Sequence, residues 1–117
     1  MEKLSEGEWK LMELLWEDAP VNSTQLVARC REKLQWSKST TYTVLRRLCH
    51  KGAAANEEAT VTPLISREAV LKAQGEALQR QAGGLSPFLT AFFSGRRLTQ
   101  KEAEELKQLI DQHTWEG

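Results

Sequence analysis

The side chains best suited to bind an ionic partner lie together in one stretch of the chain. Residues 29–51 contain seven basic side chains against one acid, Glu32, and have a net charge of +6. Residues 1–28 have a net charge of −4 and residues 52–117 of −2, so the whole chain is neutral. Clustered lysine and arginine bind phosphate, as nucleic-acid-binding surfaces do, whereas a solvated basic helix face is the alternative. The basic side chains are Arg29, Arg31, Lys33, Lys38, Arg46, Arg47 and Lys51.

Part of this basic segment combines hydroxyl, aromatic and basic side chains at helical spacing. Arg46 is the best candidate for a base contact, because arginine pairs with guanine O6 and N7; an arginine that is solvated or contacts only phosphate is the alternative. The hydroxyl groups of Ser39, Thr40 and Thr43 suit base edges or phosphates, and the alternative is that they only complete helix turns. For Thr40, helix capping or a phosphate contact is an equal alternative to a base contact. Tyr42 offers a hydroxyl to a phosphate or a ring to a thymine methyl group; the alternative is an exposed side chain that does not contact DNA. Lys38 and Arg47 are expected to contact the DNA backbone, although Arg47 also suits an acid of the first helix. The predicted DNA-binding residues are Lys38, Ser39, Thr40, Tyr42, Thr43, Arg46 and Arg47.

The remaining reactive side chains form neither a catalytic nor a metal-binding pattern. A zinc site needs three or four ligands, and Cys49 and His50, with Cys30 and the distant His113, lack the spacing of such a set. Cys30 lies on an apolar helix face and is expected to be buried. No nucleophile has an evident base, and no glycine-rich phosphate loop follows a strand. We therefore expect no metal, no cofactor and no enzymatic activity.

Capping motifs and apolar periodicity predict three helices that position the basic segment. The predicted helix caps are Ser5 with Glu8, Asn22 with Gln25, and Ser37. The third helix is predicted to run to about His50, ahead of Gly52. Its predicted inward face comprises Thr41, Val44, Leu45 and Leu48. The predicted core also includes Trp9, Trp16 and Trp36.

The rest of the chain predicts a short hairpin and three further helices. A tip at residues 56–58 precedes a strand at 59–62, which Pro63 closes. Three helix starts follow: Ser66 as a cap, Ser86-Pro87 with proline at the first helical position, and Thr99 with Glu102 as a capping box. The fourth helix is expected to end at Gly83-Gly84, and the inward residues of the last helix are expected to be Ala103, Leu106, Leu109 and Ile110.

Length and composition limit the chain to a small folded protein. Its 117 residues are 40% hydrophobic and 27% charged, which is typical of globular domains. No apolar run approaches the roughly 18 residues of a membrane span, and we expect a cytoplasmic protein with no membrane partner. The elements predict a mainly α fold with a small β wing. We expect a winged helix-turn-helix DNA-binding domain at residues 1–65 and a helical dimerisation region at residues 66–117.

The chain resembles the BlaI/MecI/CopY family of bacterial repressors, the penicillinase repressor family, over nearly its whole length. The matching residues are Glu8-Trp9 through Leu15-Trp16, Trp36-Ser37, Thr40, Thr43, Leu45, Arg47-Leu48, Lys51-Gly52, Pro63-Leu64-Ile65-Ser66, Leu98-Thr99 and Glu104-Glu105-Leu106. The resemblance implies a winged-helix domain, a helical dimerisation region and homodimers on inverted-repeat operators. In the penicillinase branch it also implies a membrane sensor that leads to cleavage of the repressor.

Three features depart from the pattern of that family. Residues 53–62 lack the arginine and aromatic residue that the wing usually carries, so the wing is expected to be short. The cleavage position implied by the resemblance is Ala91–Phe92, and family members often have asparagine where this chain has Ala91. No cysteine follows Cys49, whereas the copper-responsive branch ends in a cysteine-rich metal motif.

Two functions from different classes are compatible with these observations. The first is a homodimeric transcriptional repressor that binds an inverted-repeat operator in double-stranded DNA through its third helix, with a sensor protease as a further partner. The second is a winged-helix adaptor that binds proteins and does not read DNA. The basic third helix favours the repressor, and the short wing favours the adaptor.

Overall fold

The first three helices begin where the sequence places their caps. The computed structural model describes residues 2–116. Its first part contains α1 (Glu6–Asp18), β1 (Val21–Asn22), α2 (Ser23–Leu34), α3 (Lys38–His50), β2 (Ala54–Glu57) and β3 (Thr60–Pro63). Ser5 and Asn22 each form the predicted capping box, and Ser37 accepts a hydrogen bond from the Thr40 backbone N–H. These contacts satisfy N–H groups that have no partner within the helix.

The hairpin of β2 and β3 is the wing, and it belongs to a three-stranded antiparallel sheet of order β1-β3-β2. Glu57 pairs with Thr60, so the connecting loop is only Glu58 and Ala59. Both loop residues have positive φ, 50° and 66°, as a type I′ turn requires. The predicted strand at 59–62 begins one residue late in the structure and includes Pro63. The sequence did not predict β1, because two residues are too short to show a period.

The hydrophobic core lies between α1, α2, α3 and the sheet. Its fully buried side chains include Leu11, Met12, Leu15, Leu26 and Leu48. The predicted tryptophans, Trp9, Trp16 and Trp36, pack against this core while keeping part of their surface exposed. The core therefore holds α3 by one face and leaves its other faces outside.

Three helices follow the wing: α4 (Arg67–Ala82), α5 (Leu85–Phe93) and α6 (Gln100–Gln112). The chain divides into two compact units, one extending to Ala77 and one beginning at Leu78, so α4 contributes to both. Ser66 accepts a hydrogen bond from the Ala69 N–H, as predicted, and Thr99 and Glu102 form the predicted capping box. Within residues 2–116, no helix has the length and apolarity of a membrane span.

Two details of this second part differ from the predictions. Pro87 is the third residue of α5 and not the first, because the helix already begins at Leu85. Proline is tolerated there because the first turn of a helix needs no hydrogen bond from its N–H groups. Leu109 and Ile110, predicted to face inward, are 50% and 62% exposed, since the short α5 does not cover the apolar face of α6.

Candidate nucleic-acid interface

Helix α3 separates its core residues from its polar residues by helical periodicity. Thr41, Val44, Leu45 and Leu48 are buried, as predicted. Tyr42 is half-buried and packs against the core. The other predicted DNA-binding side chains are exposed: Lys38, Ser39, Thr40, Thr43, Arg46 and Arg47. The structure thus places hydroxyl and basic side chains on the free surface of a helix whose opposite face is fixed in the core.

Hydroxyl groups are concentrated at the N-terminus of α3. The Ser37 hydroxyl accepts from the Thr40 N–H at 3.2 Å and donates to Thr40 Oγ1 at 3.0 Å. Ser39 Oγ lies 3.2 Å from the same Ser37 oxygen. The backbone of Thr40 therefore takes part in the cap while its side chain remains exposed. A helix N-terminus attracts anions, so these hydroxyl groups are well placed for a phosphate.

The C-terminal half of α3 borders a cleft with a basic lining. Thr43, Arg46 and Arg47 line it together with His50, Lys51 and Glu2. Residues 43, 46, 47 and 50 follow the i, i+3, i+4, i+7 spacing of one helix face. His50 was absent from the predicted site, although extending this spacing by one turn would have included it. The cleft brings two of the predicted basic residues to one surface.

A second cleft lies between α3 and the wing. It is lined by Tyr42, Leu45, Arg46, Cys49 and Asn56. Asn56 pairs with the buried Val61, so its side chain lies on the face of the hairpin directed at α3. Burial raises the pKa of the Cys49 thiol, and a hydrogen bond with the Asn56 backbone opposes this only in part. The wing thus contributes Asn56 to the same surface, a contact that sequence spacing does not indicate.

Ion pairs reduce the charge that the basic segment 29–51 offers to a partner. Two of the seven basic residues of the segment 29–51 are paired: Arg29 with Asp18 at 2.9 Å, and Lys51 with Glu8 at 2.7 Å. In residues 2–116 the other five have no carboxylate within 4.0 Å, and with Glu32 they leave a net charge of +4. They are Arg31, Lys33, Lys38, Arg46 and Arg47. The alternative of an ion pair between Arg47 and the first helix is not observed; Lys51 makes that contact.

The pair of Glu8 and Lys51 joins the end of α3 to the start of α1. Glu8 is only 1% exposed, and Lys51 Nζ also donates to the Lys3 carbonyl at 2.8 Å. Burial acts to raise the pKa of the Glu8 carboxyl. Hydrogen bonds from Lys51 and from the Ser5 backbone and hydroxyl, together with the charge of Lys51, outweigh burial and lower that pKa below its ordinary value. Glu8 is therefore a buried carboxylate that holds the C-terminal end of α3.

The structure does not assemble the remaining reactive residues into a site. Within the described part of the chain, no three His, Cys, Asp or Glu side chains are grouped as metal ligands. Cys30 is fully buried, as expected, and burial raises the pKa of its thiol while a hydrogen bond with Thr41 opposes the rise. The cleavage position implied by the family resemblance, Ala91–Phe92, lies near the C-terminal end of α5 with both residues exposed.

Three packed helices, a β-hairpin wing and an exposed basic third helix define a winged helix-turn-helix protein of the DNA-binding class. The solution structure of the DNA-binding domain of the repressor BlaI is similar, with a TM-score of 0.53 and 26% sequence identity. That similarity covers 59% of this chain and 93% of the BlaI domain.

The sequence model of the penicillinase repressor family matches residues 4–112, and the chain belongs to that family. The penicillinase repressor of Bacillus licheniformis is 23% identical, over 95% of this chain and 91% of its own length. An uncharacterised 16.5 kDa protein of Latilactobacillus sakei is 28% identical, over 92% of this chain and 78% of its own. The predicted family and the predicted winged-helix fold are confirmed. The family consists of transcriptional repressors, not enzymes.

Proposed function

We propose that this chain is a homodimeric repressor that binds an inverted-repeat operator through α3. The proposal assigns residues 1–65 to DNA binding and residues 66–117 to dimerisation. Each copy inserts α3 into one major groove, and the dimer holds two copies at a fixed half-site spacing. Repression then follows from occupancy of the operator.

The observation that carries this proposal is the exposed face of α3. Arg46 borders both clefts, the one toward the C-terminus of α3 and the one toward the wing. Its guanidinium has no carboxylate partner in the described residues, so its donors are available to a base edge. Ser39, Thr40 and Thr43 supply hydroxyl groups for bases or phosphates, and Lys38 and Arg47 supply charge for the DNA backbone.

Support for the dimer comes from apolar surface in the C-terminal helices. Neither α5 nor α6 contains a fully buried residue. A groove between these helices is lined by Leu89, Phe92, Phe93, Leu98, Leu106 and Leu109, together with Glu102 and Glu105. A monomer rarely leaves so much contiguous apolar surface in water. A second copy of the same helices would cover it.

Base recognition is tested by Arg46→Ala. We expect a loss of about 1–3 kcal/mol on a specific operator, a roughly 5- to 150-fold weaker Kd, with relaxed selectivity at one base pair. The measurement is a fluorescence-anisotropy titration with a duplex selected by the wild-type protein from a random library. Lys10→Ala, which removes the same charge from an exposed site on α1, is the matched control and should bind as wild type. An equal loss on the selected duplex and on random duplexes would remove the base-reading role of Arg46.

Dimerisation is tested on the full chain with Leu109→Asp and Ile110→Asp. Each substitution places a charge on the apolar face of α6, so we expect sedimentation equilibrium to shift toward the monomer mass. Gln108→Asp adds the same charge on the opposite face of α6 and should leave the association unchanged. A wild-type chain that sediments as a monomer at operator-binding concentrations would contradict the proposed dimer.

The protein-binding adaptor remains the second candidate, because the wing tip carries Glu57 and Glu58 and no basic residue. Binding to DNA releases counterions. If the chain is a repressor, the logarithm of its affinity for DNA therefore falls steeply as the logarithm of the salt concentration rises. An adaptor would bind DNA weakly, with a slope near zero. The titration described for Arg46, repeated between 50 and 200 mM salt, distinguishes the two.

Regulated proteolysis by a sensor protease is proposed for the Ala91–Phe92 bond. The exposure of both residues and their closeness to the end of α5 at Phe93 support it, because cleavage requires only local opening of that helix end. We expect fragments corresponding to residues 1–91 and 92–117 in the native host after induction. Intact-mass spectrometry detects these fragments, and a chain that stays uncleaved under full induction would contradict the proposed proteolysis.

A further inference from the structure

Helix α4 begins within the unit that contains the winged helix, and Arg67 to Ala77 belong to that unit. Val70 is the one fully buried residue of α4. The preceding Ile65 packs partly buried against the core, and Arg67 is the first helical residue. The direction of α4 relative to the winged-helix core therefore depends mainly on contacts made at residues 65–70.

Two side chains of α1, Glu13 and Trp9, hold Arg67. Glu13 Oε1 accepts hydrogen bonds from Trp9 Nε1 at 2.8 Å and from Arg67 Nε at 3.3 Å. The Arg67 guanidinium carbon lies 5.6 Å from the centre of the Trp9 ring, within cation–π distance. Arg67 is thus fixed by a carboxylate and an aromatic ring on the same face of α1.

Trp16 lies two turns further along α1 than Trp9 and holds Ile65, which precedes α4. Its Nε1 donates to the Ile65 carbonyl at 2.9 Å, and its ring meets the Trp9 ring edge-on at a centroid distance of 5.4 Å. Ile65 and Arg67 are therefore attached to one tryptophan pair, two residues apart. Two such attachments restrict the rotation of α4 as well as its position.

The ion pair of Arg67 with Glu13 contributes little to stability because it lies at the surface. The side chains of Arg67 and Glu13 are 47% and 43% exposed. Exposed ion pairs of this kind have small effects on folding free energy. Their consequence is geometric, since α4 has 16 residues and is about 24 Å long. A tilt of about 10° at its first turn moves its far end by about 4 Å, close to the rise of one base pair.

We propose that Arg67, held by Glu13 and Trp9, is a positioning residue that fixes the direction of α4 and thereby sets the operator half-site spacing. This inference rests on the proposed homodimer. It assigns to Arg67 no contact with DNA and no part in the dimer contact itself. Replacing Arg67 should therefore affect only the preference of the dimer for one spacing between the two operator half-sites.

The test compares Arg67→Ala with Arg80→Ala, an exposed arginine of the same helix. The probes are the duplex selected by the wild-type protein, versions with one base pair inserted or removed at its centre, and a duplex containing one half-site. For Arg67→Ala we expect an unchanged Tm within 2 to 3 °C, wild-type dimerisation and wild-type binding to the half-site. On the full duplex we expect about 5- to 10-fold weaker binding and less than 2-fold discrimination among spacings. Arg80→Ala should retain the wild-type preference.

Arg67→Lys should restore part of the preference, because a lysine keeps the charge next to Glu13. An Arg67→Ala protein that discriminates spacings as strongly as wild type would overturn the inference while leaving the dimeric repressor intact. Equal losses on the half-site and the full duplex would show a general structural effect and would also overturn it. A wild-type chain that neither dimerises nor prefers one spacing would overturn both proposals, and sedimentation identifies that case.

Discussion

Replacing Lys51 with methionine should destabilise the fold strongly, because it leaves the Glu8 carboxylate buried without its cation. The Lys51–Glu8 distance is 2.7 Å, Glu8 is 1% exposed, and Glu8 Oε2 has no hydrogen-bond partner among the described residues. Removing one member of a buried pair costs about 3–5 kcal/mol. The Lys51 side chain is 18% exposed, and the Ser5 N–H still donates to Glu8 at 2.7 Å, so water and the backbone compensate in part. We expect a loss of about 2–3 kcal/mol in the free energy of unfolding at pH 7.

Lys51→Met should also reverse the way in which the contribution of Glu8 to stability changes as the pH falls. In the wild type the pKa of Glu8 is lowered, so its stabilising contribution is complete above its ordinary value of 4.5 and is lost as the pH falls through the lowered pKa. Without Lys51, burial is opposed only by Ser5, and we expect the pKa to rise above the ordinary value. Glu8 then binds a proton in the folded state more readily than in the unfolded state. The difference between Lys51→Met and wild type should therefore shrink between pH 7 and pH 4.

Urea unfolding followed by tryptophan fluorescence at pH 7 and pH 4 measures both effects. Lys10→Met is the control, because Lys10 pairs with Glu6 at 3.6 Å on an exposed helix face and should change stability by less than about 0.5 kcal/mol. A loss of less than about 1 kcal/mol for Lys51→Met at pH 7, or the same loss at both pH values, would refute the reasoning.

Two further predictions concern the local elements that shape the candidate DNA-binding surface. Ser37→Ala removes the cap of α3 and should cost about 1 kcal/mol, lowering Tm by about 4 °C in a thermal scan; Ser39→Ala, which removes no cap, should cost clearly less. Ala59→Gly should stabilise the chain by about 0.5–1 kcal/mol in urea unfolding, since Ala59 has a φ of 66° that glycine adopts without a side-chain clash. Ala55→Gly, in strand β2, should instead destabilise it, and a loss of stability for Ala59→Gly would contradict the turn geometry.

The helices were predictable because their signals are local. A cap and its N3 partner lie three residues apart, so Ser5, Asn22 and Thr99 carry the information in a single turn. Strand β1 was not predictable, because its two residues become a strand only by pairing with Val61 and Thr60 across the fold. The exposure of α6 was also mispredicted, because periodicity identifies an apolar face and not the surface that covers it.

The candidate site shows the same division between local and tertiary information. The exposed face of α3 follows from the 3.6-residue period alone, and Arg46 and Thr43 lie where that period places them. Asn56 reaches the surface through strand register, and its position depends on how the hairpin folds back onto α3. The sequence identifies Glu8 only as the capping-box partner of Ser5, and its burial and its ion pair with Lys51 are seen only in the folded chain.

The two ion pairs also set an upper limit on what the segment 29–51 contributes to the electrostatic part of DNA binding. Arg29 and Lys51 are held by carboxylates, so at most five cations of the segment 29–51 are available in each copy. Each phosphate neutralised contributes about −0.9 to the slope of log affinity against log salt, which limits one copy to about −4.5 and a dimer to about −9. A half-site slope well beyond −4.5 would require cations from outside this segment. One copy can neutralise only a few phosphates, so tight binding at moderate salt requires both copies of the dimer. The net charge of zero for the whole chain is compatible with such binding, because the cations are concentrated in one segment.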